Sequence, residues 1–555
     1  MNTQQRIAAW RDAPALPADL RAELDACTPE QLEDRFYKDL EFGTGGLRGV
    51  LGAGTNRMNT VTVARATRGL AAYLKEHRAA PRCAIAYDSR RGSAEFSRVT
   101  AGVLAAAGVE IFLYRELMPT PMLSFAVRQL ACDAGVVITA SHNPAKYNGY
   151  KVYGPDGGQL TLAAAAQVLE KIDAQPYFTP EQPDFEALLT AGRIQWIAEE
   201  TLDAYFVAVL GQCVQRPAVP LSVVYTPLNG AGNRPVRRAL AAIGISVAVV
   251  PEQEEPNGDF PTCPTPNPEI EAAMHLALCQ GERMAADLCL ATDPDCDRVG
   301  AAAPDKGGRM SLIGGNEMGV LLLDYLCQSR LRAGTMPRDP VAVKTIVTTP
   351  MAEAVAAAYG VELRNVLTGF KFIGEQIGLL EQEGHLERYL FGFEESYGYL
   401  SGGYVRDKDG VNAALLICEM AAHYKAQGKT LWDALDALYR KYGYYESRQL
   451  SFAFEGAAGM GAMCAVMDGL REKRPTAFAG RAVEAVIDYQ SSGTGLPKSN
   501  VLELRLAGGC RVILRPSGTE PKLKAYLTAK GESAKQGAAA ADALEQASRE
   551  LCGKT

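Results

Sequence analysis

Short apolar runs recur along the chain, and each ends in a polar loop that leads into a stretch with a helical pattern. CAIAYDSR (83–90), VEIFLYREL (109–117) and GVVITASHNP (135–144) form a first block. LSVVYTPLNGAG (221–232), ISVAVVPEQ (245–253) and LCLATDPDCDR (288–298) form a second, and VAVKTIVTT (341–349) with ERYLFGFEES (387–396) a third. Segments such as SAEFSRVTAGVLAAAG and GNEMGVLLLDYLCQSRLRAG between the runs read as helices. Apolar strands alternating with helices predict α/β units with mixed, largely parallel sheets. The three blocks share one architecture, but their residue identity is too weak to establish a duplication.

The end of the chain reads differently. VLELRLAGGCRVILRPSGTEPKLKAYLTAKG (501–531) holds two alternating strands around a Gly508-Gly509 turn, then a loop and a third strand. With an amphipathic helix expected near 533–551, this predicts a closing α+β domain. The first 40 residues read as short helices separated at Pro14, Pro17 and Pro29. A length of 555 residues suggests three or four domains at roughly 150 residues each. The expected limits are 1–205, 206–317, 318–442 and 443–555, with KYGYYESRQ (441–449) as the joint before the last.

Composition narrows the class. Apolar residues make up 47% and charged residues 22%, which excludes a disordered or fibrous chain. The net charge of −7 offers no broad basic face for nucleic acid, so no nucleic-acid partner is expected. No uncharged apolar run has the ~18 residues of a membrane helix, and MNTQQRIAAWRDAP lacks the apolar stretch of a signal peptide. Thirteen scattered cysteines without a CxxC pair fit reduced thiols. The expectation is a cytoplasmic enzyme without a membrane partner; its oligomeric state is open, a monomer being compatible.

In parallel sheets, ligands bind where loops leave the carboxyl ends of strands. Thr139-Ala-Ser-His-Asn-Pro144 occupies such a place, and Ser141 there is a nucleophile or phosphate carrier, or else part of a plain turn. No G-x-S-x-G elbow surrounds it, and His142 is too near in sequence for an easy in-line base, so a serine hydrolase fits poorly. Asp293-Pro-Asp-Cys-Asp297 ends another strand. In an extended loop, alternate carboxylates point to one side and give three hard oxygens for a divalent cation such as Mg²⁺. An EF-hand is excluded, because Arg298 stands where its glycine is needed and Pro304 where its glutamate is.

Arg515-Pro-Ser-Gly-Thr-Glu-Pro-Lys522 gathers a guanidinium, two hydroxyls and a lysine, which suits a phosphate dianion or a polar turn. The glycine-rich FGTGGLRG, with Arg48, fits neither nucleotide-loop pattern. Glu394, Glu395 and Ser396 follow the strand YLFG, where carboxylates accept hydrogen bonds from sugar hydroxyls or simply face solvent. Thr368-Gly-Phe-Lys371 and Arg406-Asp-Lys-Asp-Gly410 add Lys371 and Lys408 at other loop positions.

Together these loops resemble the α-D-phosphohexomutase superfamily over nearly the whole chain. TASHNP resembles its phosphoserine loop, DPDCDR its metal loop, GFEES its sugar loop and RPSGTEPK its phosphate loop, in the family's order. FGTGGLRG, TGFKFIGE and RDKDG match further family segments. The leader resembles most the phosphoglucomutase branch, which also contains phosphopentomutase-active relatives. Two departures stand out: Thr226-Pro-Leu-Asn229-Gly replaces the common TPLHG, and FEES replaces the GEMSG of dual mannose/glucose enzymes.

The resemblance implies three similar α/β domains and a C-terminal α+β domain around a central cleft. It implies interconversion of α-D-glucose 1-phosphate and 6-phosphate through phosphorylated Ser141 and glucose 1,6-bisphosphate. Mg²⁺ would be held by Asp293, Asp295, Asp297 and a phosphoserine oxygen. Arg48 and Arg298 would lie near the transferring group, and Lys151 would be general acid or base, a task that needs a lowered pKa of the kind cationic neighbours could supply. His142 would have a supporting role. Substrate would be bound by Arg298, Thr368, Gly369, Lys371, Glu394, Ser396, Lys408, Arg515, Ser517, Gly518 and Thr519. Phosphopentomutase and phosphomannomutase activities are the alternatives within the family. A Ser/Mg-dependent sugar phosphatase and a catalytically dead binder are the alternatives outside it.

Overall fold

In the computed structural model, residues 2–43, 45–179, 183–454, 459–517 and 522–553 are described. Four sheets follow one another along the chain. The first has the order Gly46–Val50, Tyr147–Tyr153, Ala134–Ile138, Arg82–Tyr87, Glu110–Leu113, Ile194–Trp196. The second runs Met310–Ile313, Val299–Pro304, Leu288–Thr292, Val223–Thr226, Val247–Val249, and the third Glu362–Val366, Val341–Thr345, Tyr389–Glu394, Gly398–Leu400. In all three, a parallel core carries helices.

Each sheet also has an antiparallel margin, and it arises in the same way. An apolar strand reaches its carboxyl end, forms a polar loop, and returns antiparallel beside itself. Ile138 pairs with Tyr150, Thr292 with Val299, and Glu394 with Gly398. The three loops so made hold Ser141, the aspartates 293–297 and Glu395–Ser396. Three similar α/β units are therefore present, and their likeness lies in this strand-loop-return device.

The fourth sheet is antiparallel throughout: Tyr444–Ala453, Lys522–Gly531, Cys510–Pro516, Leu502–Leu506, Arg481–Asp488, Ala477–Phe478. The helix Ala534–Leu551 packs on it, completing the expected α+β domain. The expected joint is in fact its edge strand, Tyr444–Ala453, paired with Lys522–Gly531 along its whole length. The joint itself narrows to Gly443, whose φ of +101° favours glycine after the helix Leu431–Tyr442. The expected limit at 442 lies at that helix end, whereas those at 205 and 317 fall within the helices Glu199–Leu210 and Gly315–Ala333.

The helix Gly410–Lys425 is apolar on nearly every side and lies in a core shared by the first three units. Asp409 caps it by accepting from the Val411 and Asn412 amides. A smaller apolar seam joins Ile346, Val347 and Leu367 of the third unit to Tyr489, Val501, Ile513 and Tyr526 of the fourth. The leader helices pack Trp10 edge-on against Phe36, Tyr177 and Phe178. Pro29 starts the helix Pro29–Phe36 rather than interrupting one, as its fixed φ allows. All thirteen cysteines are free, and no described helix is long and apolar enough to cross a membrane.

Candidate functional site

Ser141 sits past the fully buried strand Ala134–Ile138 in a left-handed conformation, φ +52°. For a residue other than glycine this costs on the order of 1–2 kcal/mol, so the surroundings must impose it. They do so through Asp88 and Arg90, just past the neighbouring strand Arg82–Tyr87. Arg90 donates to four backbone carbonyls of the loop: Pro144 and Tyr147 at 3.0 Å each, and those of Ser141 and Asn143. Asp88, buried beside Arg90 at 3.4 Å, accepts from the Thr139 hydroxyl at 2.6 Å. Thr139 Oγ1 in turn accepts from the Ser141 amide at 2.8 Å. Asp88, Arg90 and Thr139 were not among the expected site residues. The trace they leave in the sequence is the polar Asp-Ser-Arg ending an apolar strand.

The Ser141 hydroxyl donates to Asp293 Oδ2 at 2.7 Å and lies 3.2 Å from His142 Nδ1. Burial, then Arg298 and Arg48, push the His142 pKa down to about 2. The ring is neutral and a poor base. Arg48 reaches Asn143 Oδ1 at 3.5 Å from an exposed position on the strand Gly46–Val50.

The aspartate loop is a turn rather than an extended segment. Cys296 has φ +53°, and its amide donates to the Asp293 carbonyl at 2.9 Å. The three carboxylates still converge, with one oxygen from each inside a 4.8 Å cluster. Asp295 and Asp297 each keep a buried Oδ1 without a hydrogen-bond partner. Burial and mutual repulsion push Asp293 and Asp297 above the carboxylate range; Asp295, also buried, is held below it by Lys151. Hard oxygens, clustered charge and two unsatisfied lone-pair faces fit a divalent cation such as Mg²⁺.

Lys151 points into this cluster, with Nζ 3.0 Å from Asp295 Oδ2 and 3.9 Å from Asp297 Oδ2. Its immediate neighbours are these carboxylates. Thr120, another residue the sequence did not single out, donates to Asp295 Oδ2 at 3.0 Å. Arg298 is held by Glu269. Burial opposes the Arg298 charge, but Glu269, then Asp297 and Asp293, hold its pKa above the ordinary value.

The segment 406–410 ties the three α/β units together. The Arg406 amide donates to Ser124 Oγ, and Asp407 accepts from Tyr153 and Gln159. Lys408 bridges Asp297 at 3.1 Å and Asp407 at 3.0 Å, and Asp409 accepts from Tyr205. Lys408 lies 5.6 Å from the Phe370 ring, which brings 368–371 alongside. There Gly369, φ +120°, precedes the helix Phe370–Gln382, Thr368 keeps a buried unpartnered hydroxyl, and Lys371 is half-buried.

Glu394 is buried at the end of its strand. Burial, and secondarily Glu395, push its pKa up to about 7 against the pull of Lys408 and Arg298. Ser396 is half-buried beside it. Ser141, His142, Lys151, the aspartates, Arg298, Lys408 and Glu394 thus form one continuous site. Arg515 lies near the end of its strand on the fourth sheet and Ser517 just past that end, where the Ser517 amide donates to the Lys522 carbonyl at 2.8 Å. Gly518 and Thr519 lie outside the described residues. Lys524, paired in register with Arg515, is a further cation on that sheet and feels Glu395, Glu269 and Arg298.

Four family models match in order: "Phosphoglucomutase/phosphomannomutase, alpha/beta/alpha domain" I over residues 39–177, II over 203–307 and III over 314–442, and the C-terminal domain over 466–546. The chain belongs to the phosphoglucomutase/phosphomannomutase family. A phosphoglucomutase of Staphylococcus haemolyticus is 37% identical over 516 residues, 91% of this chain and 93% of that protein. One of Staphylococcus aureus (strain USA300) is 36% identical, covering 89% and 90%. Among solved structures, a family member from Burkholderia thailandensis aligns with TM-score 0.69 at 18% identity, covering 92% of this chain and 97% of that one. The Paramecium phosphoglucomutase pp63/parafusin, in its open form, gives 0.67 at 16% identity, covering 93% and 96%. At such identities these structures speak for the fold alone.

Proposed function

We propose that the chain interconverts α-D-glucose 1-phosphate and glucose 6-phosphate through phosphorylated Ser141 and glucose 1,6-bisphosphate. The observation that carries this reading is the junction of Ser141 with the aspartate cluster and Lys151. A phosphoryl carrier, carboxylates for a cation and a proton-exchanging group meet there within hydrogen-bonding range.

In one direction, O6 of bound glucose 1-phosphate attacks the phosphorus on Ser141. The bond from phosphorus to Oγ breaks as the bond to O6 forms, and the proton lost by O6 is balanced by the one that Ser141 Oγ gains. Lys151, held against Asp295, is the group to exchange that proton. The bisphosphate then turns end for end and returns its 1-phosphate to Ser141 Oγ, leaving glucose 6-phosphate. Asp293, Asp295, Asp297 and a phosphoserine oxygen would hold Mg²⁺, which neutralises charge on the transferring group when bound.

Arg48 and Arg298 add fixed positive charge at the same place. Glu394 and Ser396 read sugar hydroxyls, with Thr368, Gly369, Lys371 and Lys408 around them. Arg515, Ser517, Gly518 and Thr519 hold the phosphate that is not reacting. The test is to supply glucose 1-phosphate with Mg²⁺ and measure glucose 6-phosphate against free phosphate, in wild type and in Ser141→Ala. Sugar phosphate product that falls at least ~10³-fold in the variant, with phosphate found on Ser141 of the wild type, is expected. Free phosphate as the main product would make the chain a phosphatase.

A further inference from the structure

We propose that Arg511 is a positioning residue that couples the seat of the fourth domain to the sugar-reading loop through Thr348 and Glu395. The inference rests on the function proposed above and concerns how its distal phosphate clamp and its sugar contact are kept in register.

Strand alternation puts Arg511, Ile513 and Arg515 on one face of Cys510–Pro516. Ile513 enters the seam with Ile346, Val347 and Leu367. At one end of that face, Arg511 Nη2 donates to the Thr348 carbonyl at 2.7 Å. Arg515 lies about 13 Å further along the strand, at the end that carries the phosphate loop. The strand is paired on both sides from 511 to 514, and Arg515 is paired with Lys524 on one side, so it acts as a stiff ruler between the two guanidinium groups.

Thr348 is not a passive anchor. Its carbonyl also accepts from the buried Lys344 at 3.3 Å, so cations from two domains meet on one oxygen. Its hydroxyl lies 2.7 Å from that of Thr345, and the two reach the same Glu395 Oε2 at 3.1 and 3.2 Å. Glu395 stands between Glu394 and Ser396. The backbone there is tightly seated, since a Cβ on Gly315 would come within 2.0 Å of the Glu395 carbonyl oxygen. A shift of Thr348 has no slack to dissipate in and displaces Glu395 together with its neighbours. The chain of contacts therefore runs from the fourth sheet, through one buried loop, to the sugar-reading carboxylate.

If Arg511 served only to hold two domains together, every substrate would weaken alike when it is lost. Coupling to Glu395 predicts a change in discrimination as well, although Arg511 lies outside the sugar site. The experiment compares kcat/KM for glucose 1-phosphate with that for its 3-deoxy and 4-deoxy analogues in Arg511→Ala, Arg511→Lys, Thr348→Val and the double Arg511→Ala/Thr348→Val variant. Thr348→Val keeps the carbonyl but removes the hydroxyl that reaches Glu395. Arg511→Ala should lower kcat/KM about tenfold and shrink the preference for the full sugar at least about threefold, as contacting residues do when coupled. Thr348→Val should shrink the preference by a similar factor, the double variant no further, and Arg511→Lys should keep part of it. Hydrogen exchange over 394–396 should rise in Arg511→Ala.

An unchanged preference in both single variants, or factors that multiply in the double, would overturn the coupling. Should the wild type turn over no glucose 1-phosphate, the proposed function fails instead. Hydrogen exchange then decides the coupling alone: a rise over 394–396 in Arg511→Ala supports it, and no change removes it.

Discussion

Ser141 and Asp293 are joined by a 2.7 Å hydrogen bond, so the serine hydroxyl of one domain is aimed by the carboxylate of the next. The bond makes cation binding and serine orientation one problem, because the same carboxylate belongs to the aspartate cluster. Asp295→Asn, which removes one charge from that cluster, should weaken Mg²⁺ binding and turnover together. Mg²⁺ added to chelator-treated protein at about 100 times its dissociation constant should stabilise it by about 2.7 kcal/mol. Thermal unfolding with and without Mg²⁺ reads this directly. An equal shift in wild type and Asp295→Asn would remove the cluster from metal binding.

Arg90 should matter for rate well beyond its distance from substrate. Arg90→Lys keeps the charge but cannot serve four carbonyls at once, so the Ser141 backbone should relax from its left-handed conformation. Expected are a fall in kcat of about 100-fold with little change in KM, the split produced by a misplaced reacting atom. Arg90→Ala would also leave Asp88 buried without its partner, at about 3–5 kcal/mol of stability. Steady-state kinetics and thermal unfolding separate the two effects. A raised KM with unchanged kcat would show that Arg90 acts on binding instead.

What the sequence made legible follows from where the physics is local. Apolar strands ending in polar loops announced Ser141, the aspartates and Glu394, because each loop sits at the carboxyl end of its own strand. The antiparallel returns were hidden, since the direction in which YNGYKVY and VGAAAP pair depends on the loop before them. KYGYYESRQ (441–449) shows no clean alternation of apolar and polar residues, so the edge strand Tyr444–Ala453 that begins within it is not legible there. Asp88, Arg90, Thr120 and Glu269 act through partners between 29 and 175 residues away, which no local pattern records.

Glu394 should give the enzyme a pH dependence near neutrality. Burial pushes its pKa up to about 7, from an ordinary 4.5. Below that pH the group is a neutral acid, and above it a carboxylate, the stronger acceptor for the sugar hydroxyls it is proposed to read. KM for glucose 1-phosphate should therefore fall as pH rises through about 7, and Glu394→Gln should flatten the profile. The folded chain binds more protons than the unfolded one between 4.5 and 7, so this group alone lowers stability as pH rises across that window. A KM profile unchanged in Glu394→Gln would assign the titration elsewhere.

Arg515 should act on both substrates alike. If glucose 1,6-bisphosphate presents each end in turn to Ser141, one distal site must hold whichever phosphate is not reacting. The end of the strand Cys510–Pro516 is the candidate, because its donors recognise a dianion without reading the sugar. Its domain is joined to the rest through Gly443, the apolar seam and the Arg511–Thr348 hydrogen bond, a connection narrow enough to let it open while the intermediate turns. Arg515→Ala should lower kcat/KM for the 1-phosphate and the 6-phosphate by similar factors. Losing one charge-assisted contact is worth about 2–3 kcal/mol, or roughly 30- to 150-fold. The weakened clamp should also let bisphosphate escape, so that activity comes to depend on added glucose 1,6-bisphosphate. Kinetics in both directions decide it: a defect confined to one direction would mean that the two phosphates are held by different loops.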